Sequence, residues 1–203
     1  MELNFYQKQA LRTSGAGHDR VKNGCLGLIG ESGEIVDIVK KFMFQSKADT
    51  PLPVDNIIKE AGDVLWYCAE TASGMEIPLQ LIAGTPGDTH WRDACADLDL
   101  EQTVTSLAGC ACTVYNAFFV ADKPIGALDQ LCGVYALLVH LCDLIDTTID
   151  HVAETNIAKL KKRYPDGFDP ERSINRPEYQ HREQKNVSES ASEHLFEMRN
   201  KTV

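Results

Sequence analysis

Residues 26–41 read LGLIGESGEIVDIVKK, and this stretch decides the fold. Its apolar residues recur three and four positions apart, which is the spacing of one face of an α-helix. The same pattern continues on both sides and predicts a helix over about residues 19–44. A second run, IIKEAGDVLWYCAETA at 57–72, follows a proline-containing loop at 50–53 and predicts a helix over about residues 54–75.

The rest of the chain also shows helical patterns. We predict a first helix over residues 3–14 and two longer apolar runs over 100–121 and 127–164. Turn-forming residues at 122–126 separate these two runs and predict an α-hairpin, and residues 84–89 are typical of an irregular connector. No segment alternates with the period of two that strands require, so the predicted fold class is all-α, a helical bundle of antiparallel α-hairpins.

The composition excludes several classes of protein. A chain of 203 residues that is 43% hydrophobic can bury a full core. Its net charge of −10 argues against binding to nucleic acid, which needs clustered cations. No apolar stretch approaches the roughly 20 residues of a membrane span, and the N-terminal sequence lacks the apolar core of a signal peptide. We therefore expect a cytoplasmic protein with no nucleic-acid partner and no membrane partner.

Four acidic residues carry the strongest functional signal. Glu31 and Glu34 lie three positions apart in the first long helix, and Glu60 and Asp63 have the same spacing in the second. Residues at this spacing share a helix face, and the 25 residues between Glu34 and Glu60 let the second helix return antiparallel. Four converging carboxylates repel one another unless a cation neutralises them, and oxygen ligands favour Mg²⁺, with Mn²⁺ as the alternative. The four acids are therefore the predicted metal ligands.

The competing interpretation is that acids at this spacing merely line a solvated helix face. Two features favour the metal site. Both acidic pairs lie within apolar sequence, where a solvated face would show more polar neighbours. Gly30, Gly33 and Gly62 lower the helix propensity beside the same acids, a cost that makes sense where a second backbone or a ligand comes close.

These motifs resemble the all-α nucleoside triphosphate pyrophosphatase superfamily, which includes MazG-like proteins, dimeric dUTPases, dCTP pyrophosphatases and phosphoribosyl-ATP pyrophosphatases. The ExxE and ExxD motifs of that superfamily match ESGE at 31–34 and EAGD at 60–63. NIAKLKKRYPDGF at 156–168 is similar to the segment that closes many MazG-like domains. In the short MazG-like pattern this closing segment follows soon after the second helix, whereas here residues 77–151 intervene.

The resemblance implies a hydrolase that cleaves a nucleoside triphosphate, ribo or deoxy, between the α and β phosphorus to give a monophosphate and pyrophosphate. It also implies that the four acids hold Mg²⁺, and Glu34 is the expected proton acceptor for the attacking water. Since the superfamily includes dimeric members, a homodimer is among the arrangements it allows. The alternative from another class is a noncatalytic regulatory or binding protein on the same helical scaffold, and the four acids count against it.

Two residues near the acids are candidates for substrate binding. Lys41 lies seven positions after Glu34, near the same side of the helix, where it could bind a phosphate. The alternative is an ion pair with Asp37, four positions before it. Tyr67 lies four positions after Asp63 and therefore over the ligand pair, where it is either a substrate contact or a core tyrosine.

Three further candidates for substrate binding share one face of the closing helix: Asn156, Lys159 and Arg163. A lysine and an arginine at this spacing could hold a triphosphate. Solvated charges on a terminal helix are the competing interpretation. His18 and Trp66 are interpreted as structural or pocket-lining residues, with no chemistry assigned.

The predicted domain spans residues 1–168, and a polar tail follows at 169–203. Within the domain we distinguish a metal-bearing hairpin at 19–76, a second half at 100–151 and a closing segment at 152–168. We expect the second half to pack against the metal-bearing hairpin as a catalytically silent counterpart, because its helices are apolar and carry no clustered acids.

A weak internal similarity suggests that the two halves are a degenerate repeat. It pairs two glycines of the first half with two of the second: Gly30 with Gly109, and Gly62 with Gly133. Each glycine would then lie where two helices approach closely. This interpretation predicts that residues 26–74 superpose on 105–145 as two α-hairpins, and chance similarity between apolar helices is the alternative.

Overall fold

The computed structural model describes residues 1–84, 90–121 and 123–171, and its regular structure there is entirely helical. These residues form seven α-helices: α1 (Leu3–Ala10), α2 (Arg20–Gln45), α3 (Val54–Gly74), α4 (His90–Cys95), α5 (Leu100–Phe119), α6 (Pro124–Leu144) and α7 (Ile149–Arg163). Short 3₁₀ segments follow α1 at Leu11–Thr13 and α3 at Leu79–Ala83. The predicted all-α class is confirmed.

The two long helices of the first hairpin begin and end within one residue of their predicted bounds. Asp19 caps α2, because its side chain accepts a hydrogen bond of 3.0 Å from the backbone N–H of Lys22. Pro53 immediately precedes α3, where its missing N–H costs no helical hydrogen bond. Local capping chemistry thus explains why the hydrophobic pattern located these two helices well.

One predicted element is wrong. The apolar run at 127–164 forms two helices, α6 and α7, which are separated at residues 145–148. Asp146 has a φ of 55°, a left-handed conformation that interrupts a right-handed helix. The Thr148 side chain then accepts a hydrogen bond of 3.2 Å from the backbone N–H of His151, and α7 begins.

Smaller differences concern the connections. Pro124 begins α6, so part of the predicted turn at 122–126 is helical. The short helix α4 was not predicted. Three predicted features lie wholly or partly outside the described residues: the connector at 85–89, Asp122 and the tail from residue 172 onward.

The helices α2 and α3 approach each other closely because α2 carries glycines at the contact. A Cβ atom on Gly24 would lie 2.2 Å from Thr71 Oγ1 and 2.9 Å from the Thr71 backbone nitrogen. A Cβ atom on Gly27 would lie 2.2 Å from the Tyr67 ring. These contacts set the antiparallel register in which the acidic turn of α2 faces the acidic turn of α3.

The second hairpin, α5 and α6, packs against the first through contacts between α5 and α2. Fully buried leucines from both hairpins fill the core, among them Leu28, Leu65, Leu107 and Leu138. The helix α7 packs against α3 and α1. All seven helices belong to one compact unit, Met1–Gly167, and a second unit comprises Phe168–Val203.

The four glycines of the suggested repeat do not mark equivalent contacts. A Cβ atom on Gly30 or Gly109 would meet nothing within 4 Å, so neither lies at a close helix approach. The other pair faces two different helices: Gly62 faces Asn156 of α7, and Gly133 faces Trp91 of α4. The predicted close approach is therefore wrong for Gly30 and Gly109 and confirmed for Gly62 and Gly133, although these two face different helices. The superposition of 26–74 on 105–145 stays a prediction.

In the described part of the chain, α6 alone is long and apolar enough to cross a membrane. Of its most apolar window, 44% is buried inside the protein. Its fully buried residues include Leu131 and Leu138, and α6 contacts α3, α4 and α5. The core helix of a helical bundle has the same length and composition, so α6 is only weak evidence for a membrane span.

Candidate metal centre

Three acidic side chains converge between α2 and α3. Glu31 of α2 and Glu60 and Asp63 of α3 each offer one carboxylate oxygen, and these oxygens lie within 4.8 Å of one another. Glu60 and Asp63 share a face of α3 because they are three residues apart, and the close approach of the two helices places Glu31 opposite them. All three side chains are partly buried.

Glu34, the fourth predicted ligand, lies one turn further along α2 and is exposed. It does not belong to the group of three oxygens. Its charge still acts on the site, because it is one of the charges that raise the pKa of Glu31. The structure therefore gathers three of the four predicted ligands and places the fourth beside them.

Burial and mutual repulsion disfavour negative charge on the three acids. Burial, together with the charges of Asp63, Glu60 and Glu34, raises the pKa of Glu31 to about 7, although the charge of Lys159 acts to lower it. A carboxyl group with this pKa carries its proton for much of the time at neutral pH. A divalent cation would replace that proton and reduce the repulsion among the three acids.

The helix α7 supplies two polar side chains to Asp63. Lys159 forms an ion pair with this carboxylate, with Nζ 2.5 Å from Oδ2. The Asn156 side-chain amide donates a hydrogen bond of 3.1 Å from Nδ2 to Asp63 Oδ1. Both residues were predicted to bind substrate. The structure places both at the candidate metal centre, where each contacts a predicted metal ligand.

Lys41, another predicted substrate residue, forms an ion pair with Asp37 on the surface of α2. Lys40 pairs with the same carboxylate, and hydrogen bonds from Lys40 and Lys41 lower the pKa of Asp37. The Lys41 side chain is 60% exposed. This is the ion pair that the sequence offered as the alternative to phosphate binding, and the structure favours it.

The two other predicted substrate residues, Tyr67 and Arg163, each lie one helical turn beyond a residue of the site. Tyr67, one turn after Asp63, is half-buried, and its ring makes an edge-to-face contact with Trp66 at a centroid distance of 4.9 Å. Trp66 is itself held by a hydrogen bond of 3.1 Å from Nε1 to the Ala10 carbonyl oxygen. Arg163 is half-buried at the end of α7, one turn after Lys159.

Tyr6 of α1 reaches the site although the sequence gave no sign of it. Its side chain is completely buried, and its hydroxyl group donates a hydrogen bond of 2.9 Å to Asn156 Oδ1. The two residues are 150 positions apart, and helical spacing carries no information about contacts at such a distance. The spacing of apolar residues in α1 could predict only that Tyr6 faces the core.

Glu70 of α3 is a second residue that the sequence analysis missed. It is completely buried, and its Oε1 atom accepts a hydrogen bond of 3.0 Å from Ser14 Oγ and lies 2.7 Å from His18 Nε2. Its Oε2 atom has no hydrogen-bond partner among the described residues. Glu70 follows Asp63 by seven positions, so helical phase could have placed it on the same side of α3. His18, which was assigned no chemistry, thus contacts a buried acid.

Comparison with known proteins gives a family but no activity. No protein-family model and no solved structure matches the chain. The Gene 37 protein of Mycobacterium phage L5 is 33% identical to it over 90 residues, which cover 40% of this chain and 79% of the phage protein. The chain belongs to the family of this phage protein. The name Gene 37 protein states no reaction and no ligand, so any functional argument for this member of the family depends on the site.

Proposed function

We propose that the protein is a Mg²⁺-dependent nucleoside triphosphate pyrophosphohydrolase of the cytoplasm, which converts a ribo- or deoxynucleoside triphosphate and water into the monophosphate and pyrophosphate. The observation that carries this proposal is the convergence of Glu31, Glu60 and Asp63 between two antiparallel helices. The resemblance of their ESGE and EAGD motifs to the all-α pyrophosphatases supplies the reaction and the substrate class.

The donor set suits a hard divalent cation. The three side chains offer only carboxylate oxygens, which Mg²⁺ and Mn²⁺ prefer. Mg²⁺ takes six oxygen ligands at about 2.0–2.1 Å, so three carboxylates leave positions for water and phosphate oxygens. The three oxygens lie within 4.8 Å of one another, close enough for small side-chain rotations to bring them to one ion. Glu31, Glu60 and Asp63 would therefore hold the metal.

The residues around the acids have distinct roles in this proposal. Lys159 neutralises Asp63 in the absence of metal, and it can turn to a phosphate oxygen once a cation takes over that task. Arg163, one turn further, adds a second phosphate contact. Tyr67 packs its ring against Gly27 and Trp66 one turn after Asp63, and in this proposal its hydroxyl group contacts the sugar or base. Lys41 forms an ion pair with Asp37 and is the weakest of the candidates for substrate binding.

Hydrolysis needs a group that accepts a proton from water. Glu34 is the best candidate, because it is exposed and lies outside the group of three oxygens, and a carboxylate that does not bind metal is the stronger base. Water attacks the α phosphorus, the bond from that phosphorus to the bridging oxygen breaks, and pyrophosphate leaves. The water proton passes to Glu34. When bound, the metal ion would supply positive charge that neutralises the triphosphate.

The test is a panel of ribo- and deoxynucleoside triphosphates incubated with Mg²⁺ or Mn²⁺, with the products identified by chromatography. We expect monophosphate and pyrophosphate from the wild type and none from Glu60→Gln. The exposed Asp143→Asn on α6 is a matched control and should keep full activity. Diphosphate and orthophosphate would show cleavage at a different bond. No turnover of any triphosphate with either metal would overturn the proposal in favour of a noncatalytic protein.

A further inference from the structure

A chain of two hydrogen bonds connects α1, α7 and α3 at the candidate metal centre. Tyr6 donates its hydroxyl proton to Asn156 Oδ1 at 2.9 Å, and Asn156 Nδ2 donates to Asp63 Oδ1 at 3.1 Å. Asn156 is 2% exposed and Tyr6 is fully buried, so water has little access to the bond between them, whereas Asp63 at the end of the chain is only partly buried. The chain ends at a carboxylate of the three-acid group.

The two bonds fix which end of the Asn156 amide faces Asp63. A side-chain amide accepts only at Oδ1 and donates only at Nδ2. In the observed orientation the phenol proton satisfies Oδ1 and the carboxylate satisfies Nδ2. Rotation of the amide by 180° would turn Oδ1 toward the Asp63 carboxylate, where two acceptors repel, and would leave the Tyr6 proton only the longer hydrogen bond of 3.5 Å to the Gly62 carbonyl oxygen. The hydroxyl group of Tyr6 therefore stabilises the orientation in which Asn156 Nδ2 faces the Asp63 carboxylate.

The backbone leaves little room for the amide to move away. A Cβ atom on Gly62 would lie 2.9 Å from Asn156 Cβ, so α7 rests directly on the backbone of α3 next to Asp63. The Tyr6 hydroxyl group also lies 3.5 Å from the Gly62 carbonyl oxygen. The amide is thus confined between two helices, and the Tyr6 hydroxyl group and the Asp63 carboxylate together determine how it is turned.

We propose that Tyr6 is a positioning residue of the metal centre, which orients the Asp63 carboxylate through Asn156. This inference rests on the proposed function in one respect, the binding of a divalent cation by the three acids. Groups that orient a metal ligand typically change metal affinity by about 10–100-fold when they are removed. Tyr6 does not contact the acids of α2, and its effect reaches the metal only through Asn156 and Asp63.

The first experiment measures Mn²⁺ binding to the full-length protein by isothermal titration calorimetry, with Mg²⁺ as competitor. Tyr6→Phe removes one oxygen atom and should weaken Mn²⁺ binding by about tenfold. Tyr115→Phe is the matched control, because Tyr115 packs against Phe119 in α5 and contacts none of the acids. It should bind Mn²⁺ like the wild type. Thermal melts with EDTA establish that each variant is folded.

The second experiment separates positioning from packing by a double-mutant cycle. Asn156→Ala alone should weaken Mn²⁺ binding at least as much as Tyr6→Phe does, and the double variant should equal Asn156→Ala. An equal loss from Tyr6→Phe in both backgrounds, or unchanged affinity of Tyr6→Phe, would overturn the positioning role. If the wild type binds Mn²⁺ but hydrolyses no triphosphate, the proposed function fails and the role of Tyr6 stands. Absence of Mn²⁺ binding to the wild type would overturn both.

Discussion

Among single residues, Glu31 has the most perturbed environment of the three converging acids. Its pKa is about 7 in the folded protein, above the ordinary carboxyl value of 4.5, so the folded state holds the Glu31 proton more tightly than the unfolded chain. Without metal, the contribution of Glu31 to stability therefore falls as the pH rises from about 4.5 to about 7. Glu31→Gln should remove this fall. We expect it to be more stable than the wild type at pH 8 by roughly 1–2 kcal/mol after allowance for solvent screening.

The measurement is urea unfolding in EDTA at several values between pH 5 and pH 8, conditions under which metal does not contribute. Glu101→Gln is the control, since Glu101 is an exposed acid of α5. Its stability should follow the pH dependence of the wild type. Parallel curves for Glu31→Gln and the wild type would show that Glu31 does not hold its proton more tightly in the folded state.

We expect His18 to stabilise the folded protein through its contact with the buried carboxylate of Glu70. His18 makes one of the two polar contacts to Glu70 Oε1. The other carboxylate oxygen, Oε2, has no hydrogen-bond partner among the described residues. His18→Ala would leave the buried acid with Ser14 as its described partner, and we expect a loss of about 1–3 kcal/mol in the free energy of unfolding. His151→Ala, at an exposed position of α7, should change it little. Equal values for both variants would contradict this role.

Helical spacing in the sequence predicted which acids lie together. It could not predict which residues of other helices contact them. Glu60 and Asp63 could be placed together because three residues along a helix define one face. Tyr6 could not be connected with Asn156, because their contact depends on how α1 and α7 are placed against α3. Spacing also predicted too much. It placed Glu34 on the same helix face as Glu31, but Glu34 does not belong to the group of three converging oxygens.

Among the elements, the first hairpin offers a paired test of helix packing within α2. Gly24 touches the Thr71 backbone, and Gly24→Ala would force α2 and α3 apart, at a cost of about 1–3 kcal/mol. Gly30 has open space around it, so Gly30→Ala should stabilise the protein by about 0.5–1 kcal/mol through helix propensity alone. Thermal or urea unfolding in EDTA measures both. Destabilisation by Gly30→Ala similar to that by Gly24→Ala would contradict the packing.

Element bounds were predictable where caps agree with the hydrophobic pattern, as in α2 and α3. The boundary between α6 and α7 was not, because only three polar residues, at 146–148, interrupt the apolar run there. Asp146 adopts a positive φ, and the following Thr148 caps α7. Neither residue is a glycine or a proline, so the sequence shows no strong breaker at this point.

In the molecule as a whole, the acids are unevenly distributed between the two hairpins. Within the described residues, the only group of three side chains placed to hold a metal is on the first hairpin. The acids at the end of the second hairpin and the start of α7 are exposed, and one of them, Asp150, pairs with the N-terminal amino group at 2.6 Å. The catalytic silence of the second half and the homodimer allowed by the resemblance both stay predictions.

A cation bound at the three acids should stabilise the whole protein. The folded state gathers carboxylates that the unfolded chain keeps apart, so Mg²⁺ binds the folded state preferentially. At a concentration 100 times its Kd, Mg²⁺ would add about 2.7 kcal/mol, or roughly 5–10 °C in Tm for a protein of this size. Differential scanning fluorimetry across a Mg²⁺ titration measures the shift. Glu31→Gln, Glu60→Gln and Asp63→Asn should lose most of it.

Two further variants make this panel decisive. Glu34→Gln should keep most of the thermal shift, because Glu34 lies outside the three converging oxygens, but it should lose activity if it accepts the proton of the attacking water. Asp143→Asn, at an exposed position of α6, should keep both. Equal Mg²⁺ shifts in all five variants would mean that the ion binds elsewhere. A shift lost in Glu34→Gln as fully as in Glu60→Gln would make Glu34 a fourth ligand, and the three-acid centre would then be incomplete without it.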